Sequence, residues 1–153
     1  MALDEKLAEL GITLPQAATP VGSYVPVKVM GSFAFISGML PAVDGHLQQA
    51  GRLGETVTTD EGYGLARICA INALAALKSA IGTLDRVKGI AMVQGFVQVV
   101  PAYTDAPKVI NGASDLLVAL FGDAGRHARF AVGVASLPLN APVEVALIVE
   151  LMP

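Results

Sequence analysis

From Tyr24 to Met30 the β-branched residues Val25, Val27 and Val29 alternate with Pro26, Lys28 and Met30. After Gly31-Ser32 an apolar run resumes over Phe33 to Ser37. Two such runs across a short turn predict a β-hairpin, and Pro26 argues that the first strand lies at a sheet edge. Ahead of them, Asp4 to Leu10 places Leu7 and Leu10 on one face before Gly11, which predicts a short leading helix. Thr13 to Ser23, with Pro15, Pro20 and Gly22, sustains neither period and reads as an irregular connection. Pro41 to Thr58 is a long, polar, glycine-rich connection, of the length that is either functional or flexible.

Thr58 or Thr59 can cap a helix whose first turn carries Asp60 and Glu61, the charge sign that suits a helix N-terminus. That helix is expected to run to about Ile81 and stop at Gly82. Arg67, Asn72 and Lys78 are its main polar interruptions, so more than one of its faces must be covered, by a sheet and one further neighbour. Val87 to Val100 predicts a central strand ended by Pro101, with Gly89 and Gly95 marking a bulge or a close backbone approach. A second helix follows over Asp105 to Phe121, with Pro107 in its first turn, Gly112 as a weak point and Gly122 past its end. Arg129 to Val134 and Ala141 to Met152 read as two last strands with Leu137-Pro138-Leu139-Asn140 as the turn between them. The order ββαβαββ, with helices grouped against one mixed sheet, predicts an α+β fold. With no repeat or linker in 153 residues, one domain over 1–153 is expected, residues 1–22 forming its leading helix and connection.

Composition sharpens this picture. AVILMFWYC residues make up 54 % of the chain before its 16 glycines are added, and charged residues only 15 %, against about 45–50 % apolar with glycine included and about 25 % charged in ordinary domains. So few charges on a small sphere leave apolar surface for a partner, and a homo-oligomer is expected. The longest apolar segment, Leu65 to Ile81, is broken by Arg67, Asn72, Lys78 and Ser79, which argues against a membrane span. Charges at Asp4, Glu5 and Lys6 interrupt the N-terminus where a signal peptide needs an apolar stretch. A lone Cys69 and two histidines provide neither an internal disulfide nor a zinc-ligand set, and a reducing cytoplasm fits best. The net charge of −3 has the wrong sign for long-range attraction of phosphate backbones, so nucleic acid is not an expected partner.

Few motifs carry chemistry. Gly62-Tyr-Gly64-Leu-Ala-Arg67 begins like a dinucleotide fingerprint but has Arg67 in place of the third glycine and no preceding strand. Cys69 in an apolar helix reads as core, because a reactive thiol needs an electropositive, partly exposed setting, and His46 in the polar connection reads as surface. Arg126-His127-Ala128-Arg129-Phe130 is more informative, since it opens a strand directly after a loop. Glu144, flanked by Val143 and Val145, is the only carboxylate between Asp123 and Glu150, and a carboxylate in an apolar strand needs a partner. If the last two strands pair across the 137–140 turn, Arg129 and Glu144 approach one cleft, an anion clamp beside a base.

From about Tyr24 onward nearly the whole chain resembles the reactive intermediate deaminase (Rid, YjgF-like, endoribonuclease L-PSP-like) family. The carrying residues are Tyr24-Val25 with Ile36-Ser37-Gly38-Met39-Leu40-Pro41, then Ala128-Arg129 through Leu137-Pro138 to Val143-Glu144-Val145. Val109 to Leu117 with Gly125 to Arg129 resembles a longer bacterial subgroup. The resemblance implies a chorismate-mutase-like α+β fold and a homotrimer with clefts between subunits. It also implies that Arg129 binds the carboxylate of a 2-aminoacrylate-type imine while Glu144 activates the water that displaces ammonia, leaving a 2-oxo acid. Tyr24, Ser37, Gly38 and Asn111 match residues near the family's substrate, and no metal or organic cofactor is implied. Phe130-Ala131 replaces a common Ser-Cys pair, Met39 a glutamine and Ala146 a second acid, so the pocket is expected to be more apolar than usual. Two other readings remain open: a carboxylate binder that turns nothing over, and the endoribonuclease of the family's older label, against which the acidic balance argues.

Overall fold

A computed structural model describes residues 2–153. Helix α1 spans Leu3–Glu9, and strands β1 (Val27–Met30) and β2 (Phe33–Met39) form the expected hairpin with β1 at the sheet edge. The connection after it is partly ordered into a small hairpin, β3 (Ala42–Val43) and β4 (His46–Leu47). Helix α2 (Thr59–Ile81), strand β5 (Val87–Gln98), helix α3 (Ala106–Phe121) and strands β6 (Ala128–Val134) and β7 (Val143–Leu151) complete the chain.

The five-stranded sheet has the order β1-β2-β7-β5-β6, antiparallel except for the parallel pair β5 and β6. The last two strands therefore do not pair across the 137–140 turn, contrary to the sequence reading, because β5 lies between them. Strand β5, helix α3 and strand β6 form a parallel crossover that seats β6 on the outer edge of β5. The chain then passes the end of β5 and inserts β7 between β5 and β2. There, alternate residues Val143, Val145, Leu147, Val149 and Leu151 bury against the helices. Gln98, at the end of β5 and 1 % exposed, holds this crossing. Its Nε2 donates to Gly51 O and Asn140 Oδ1, both at 2.8 Å, and its Oε1 accepts from Leu137 N at 2.7 Å.

Both long helices lie on one face of the sheet. Thr58 caps α2 in a reciprocal capping box, accepting from Glu61 N at 3.1 Å while Glu61 Oε1 accepts from Thr58 N at 3.0 Å. By length and composition α2 could cross a membrane, with a mean hydropathy of 1.4 over its most apolar window. Here it is a core helix, burying Ala66, Cys69, Ala70, Ala73, Leu74 and Leu77. Gly112 of α3 meets the Tyr63 carbonyl of α2 so closely that a Cβ there would overlap it. The glycine that weakens α3 locally is what lets the two helices cross at backbone contact. On the other face of the sheet Phe33, Phe35, Phe130 and Val132 are exposed, and among the described residues no helix covers them.

Candidate functional site

Arg129 is the second residue of β6 and stands beside Val93 of β5, on the helix side of the sheet. Its side chain runs under the N-terminal half of α3. Nη1 donates to Asn111 Oδ1 at 2.8 Å and Ser114 Oγ at 3.0 Å, and Nη2 donates to Pro107 O at 3.3 Å. Asn111 and Ser114 are three apart and so share a helix face. Among the described residues no carboxylate forms an ion pair with Arg129; the nearby Arg126 pairs with Asp123 at 3.6 Å instead. A half-buried guanidinium is thus held by neutral acceptors, with Nε–H and one Nη2–H left over for an anion.

Glu144 lies on the opposite side of the sheet. It pairs with Phe96, while Arg129 pairs with Val93, and the odd separation of these two β5 residues through regular pairing puts the two side chains on opposite faces. The cleft expected from direct pairing of β6 and β7 does not form within one chain. Glu144 has no hydrogen-bond or ion-pair partner among the described residues, and burial pushes its carboxyl above the ordinary carboxylate range. Its cross-strand neighbour Phe96 meets the edge of Phe130, with ring centroids 5.5 Å apart. Phe130 therefore extends an apolar surface beside the carboxylate.

Gly38 belongs with Glu144. The pairing of β2 with β7 shifts register between Ile36 and Met39, and the resulting bulge turns Gly38 so that any Cβ would run into the Glu144 carboxylate. Ser37 N donates to Pro26 O at 2.9 Å and Ser37 Oγ donates to Val25 O at 2.8 Å, pinning the segment that carries Tyr24. Tyr24, Ser37 and Gly38 line a cavity of about 600 Å³ together with residues 15–20, Met39 and Asn72. Tyr24, Ser37, Gly38 and Glu144 thus form one group, and Arg129 with Asn111 another. Sequence reasoning assigned no role to Ser114 or His127; the available signal was that Ser114 lies one helical turn beyond Asn111.

The remaining candidates take structural places. The Cys69 thiol is fully buried, pushed well above its usual pKa by burial, and lies 3.8 Å from Val143 O. His46 is exposed on β4, and Gly62 is buried in α2 near Leu53 and Val109 rather than in a phosphate-binding turn. Among the described residues no cluster of metal-ligating side chains is present.

Residues 4–151 match the family described as "YjgF/chorismate_mutase-like, putative endoribonuclease". The chain belongs to this Rid/YjgF family. It is 45 % identical over 146 residues to Protein TCP17 of Trypanosoma cruzi, covering 95 % of this chain and 91 % of that protein. Among solved structures, Atu1372 of Agrobacterium tumefaciens, of unknown function, is 42 % identical with a TM-score of 0.91, covering 97 % of this chain and 92 % of that one. A Shewanella oneidensis protein carrying the same endoribonuclease label is 38 % identical with a TM-score of 0.95, covering 99 % and 100 %. Escherichia coli TdcF, solved with bound serine, shares the fold at 20 % identity and a TM-score of 0.62, covering 88 % and 93 %.

Proposed function

We propose that this Rid-family chain is a hydrolytic deaminase of 2-imino acids that works in the clefts of a homotrimer. The observation that carries the reading is the separation of the site residues into two complementary halves. Arg129 is a cation held without a counter-ion, Glu144 is a carboxylate held without a cation, and one chain keeps them on opposite sheet faces. Closed symmetry brings different surfaces of identical chains together, so a cleft between copies can join the Arg129 of one to the Glu144 of another. The uncovered face with Phe33, Phe35, Phe130 and Val132 is apolar surface for that contact.

In such a cleft Nε–H and Nη2–H of Arg129 take the substrate carboxylate, the planar fork that suits a planar anion. Glu144 removes a proton from water as its oxygen bonds to the imine carbon. That proton passes to nitrogen to give a tetrahedral amino alcohol. The hydroxyl proton is then moved to the amine as the C=O forms and the C–N bond breaks, and ammonia and a 2-oxo acid leave, with one water consumed. A raised pKa suits Glu144 to this work, since a base acts best when its pKa approaches the working pH. No step needs a metal or cofactor. TdcF with bound serine is a precedent in this fold for a small amino acid as ligand.

A second reading rests on the clamp alone. Arg129, held by Asn111 and Ser114 within one chain, could bind a carboxylate without turnover. The discriminating experiment follows ammonia and 2-oxo acid formation from imines generated in situ by an amino-acid oxidase, with wild type and Arg129→Ala. Acceleration by wild type, lost in Arg129→Ala, is expected; 2-oxo acid binding without ammonia release would leave only the binder.

A further inference from the structure

His127 and Arg129 project from the start of β6 toward the same side, and Ser114 of α3 stands between them. Ser114 Oγ lies 2.8 Å from His127 Nε2 and accepts from Arg129 Nη1 at 3.0 Å. The other ring nitrogen, Nδ1, is 2.6 Å from Gly125 O. A carbonyl can only accept, so Nδ1 carries a proton and donates to it. In the neutral ring Nε2 is then an acceptor, and the only proton that can fill that contact is the one on Ser114. The hydroxyl proton turns to the histidine and its lone pairs turn to the guanidinium. Gly125 is itself buried against the Leu117 carbonyl at the end of α3, so the ring is anchored to packed backbone.

We infer that His127 and Ser114 are positioning residues for the Arg129 carboxylate anchor, Gly125 O setting the histidine tautomer that orients the serine hydroxyl toward the guanidinium. This rests on the reading of Arg129 as the substrate anchor. Neither residue touches the water or the reacting carbon, so their loss acts on carboxylate capture. Without the Ser114 acceptor, one Nη1–H of a half-buried cation is unpaired and the guanidinium swings off the geometry that the two free donors need. A hydrogen bond to a charged group is worth enough to shift affinity about tenfold or more when it is lost.

The test uses the full chain and pyruvate as the binding probe, with steady-state kinetics on an in situ imine. Ser114→Ala and His127→Ala are each expected to raise the pyruvate Kd and the imine KM about tenfold while kcat stays within about twofold, and Ser114→Thr restores both. The double variant is expected to bind no worse than Ser114→Ala, since the two residues act as one relay. Unchanged Kd and KM in folded Ser114→Ala, or a fall in kcat at constant KM, would overturn the inference. Should the variants fail to fold, nitrogen NMR of wild-type His127 decides: the Nδ1–H tautomer supports the relay and the Nε2–H tautomer refutes it. Wild type that binds no 2-oxo acid would instead count against the anchor itself, which separates the two failures.

Discussion

Each residue of the site is defined by what its neighbours leave undone. Asn111, Ser114 and Pro107 occupy three guanidinium hydrogens of Arg129 and leave two, whereas Glu144 is given nothing but Gly38 backbone and an aromatic neighbour. The identities of Arg129 and Glu144 were legible in the sequence, since a charge inside an apolar strand is conspicuous. Their environments were not, because hydrogen-bond partners come from α3 and β2, far along the chain. Burial raises the pKa of Glu144, so its base form is reached only at higher pH than for an exposed glutamate. The acid limb of the kcat/KM profile is therefore expected above the ordinary carboxylate range. Glu144→Gln should bind pyruvate like wild type but lose about 10²–10⁴-fold in kcat, the usual worth of a general base. A variant with full turnover would remove Glu144 from the mechanism.

At the scale of elements, local signals were sufficient to place helices and strands. The hairpin from Tyr24 to Ser37, the cap at Thr58, the strand ended by Pro101 and the second helix closed by Gly122 all correspond to observed elements. What strand patterns do not encode is which strand neighbours which, because a central strand buries the same alternating residues whatever lies at its edges. Pairing of β6 with β7 across the 137–140 turn, which the local pattern allows, does not form because β5 lies between them, and Gln98, whose side chain ties the crossing loop, has no local signature. Gly112 shows the opposite case, a local weakness with a tertiary cause. Gly112→Ala should improve helix propensity by about 1 kcal/mol yet force the α2 and α3 backbones apart. Overpacking of this kind costs about 1–3 kcal/mol, so the urea midpoint is expected to fall. A rise would show that the crossing has room.

The whole molecule keeps its two half-sites apart, so the proposed assembly is testable without reference to either half alone. Sedimentation at micromolar concentration should give a species near three times 15.7 kDa. Arg129→Ala and Glu144→Gln, each inactive, should regain activity when unfolded and refolded together, because about one cleft in four then receives both native residues by random assembly of identical folds. No regain would place the two residues in one chain's site or in none. The chain alone determined the class of fold and the scarcity of charge, and it singled out two residues of opposite charge within or beside apolar strands, since periodicity, composition and an isolated charge are local properties. Only the tertiary structure decided that these residues face opposite sides of one sheet and that His127 and Ser114 stand behind the arginine. Strand order and face are set by long-range pairing and helix cover, which no window of the sequence contains.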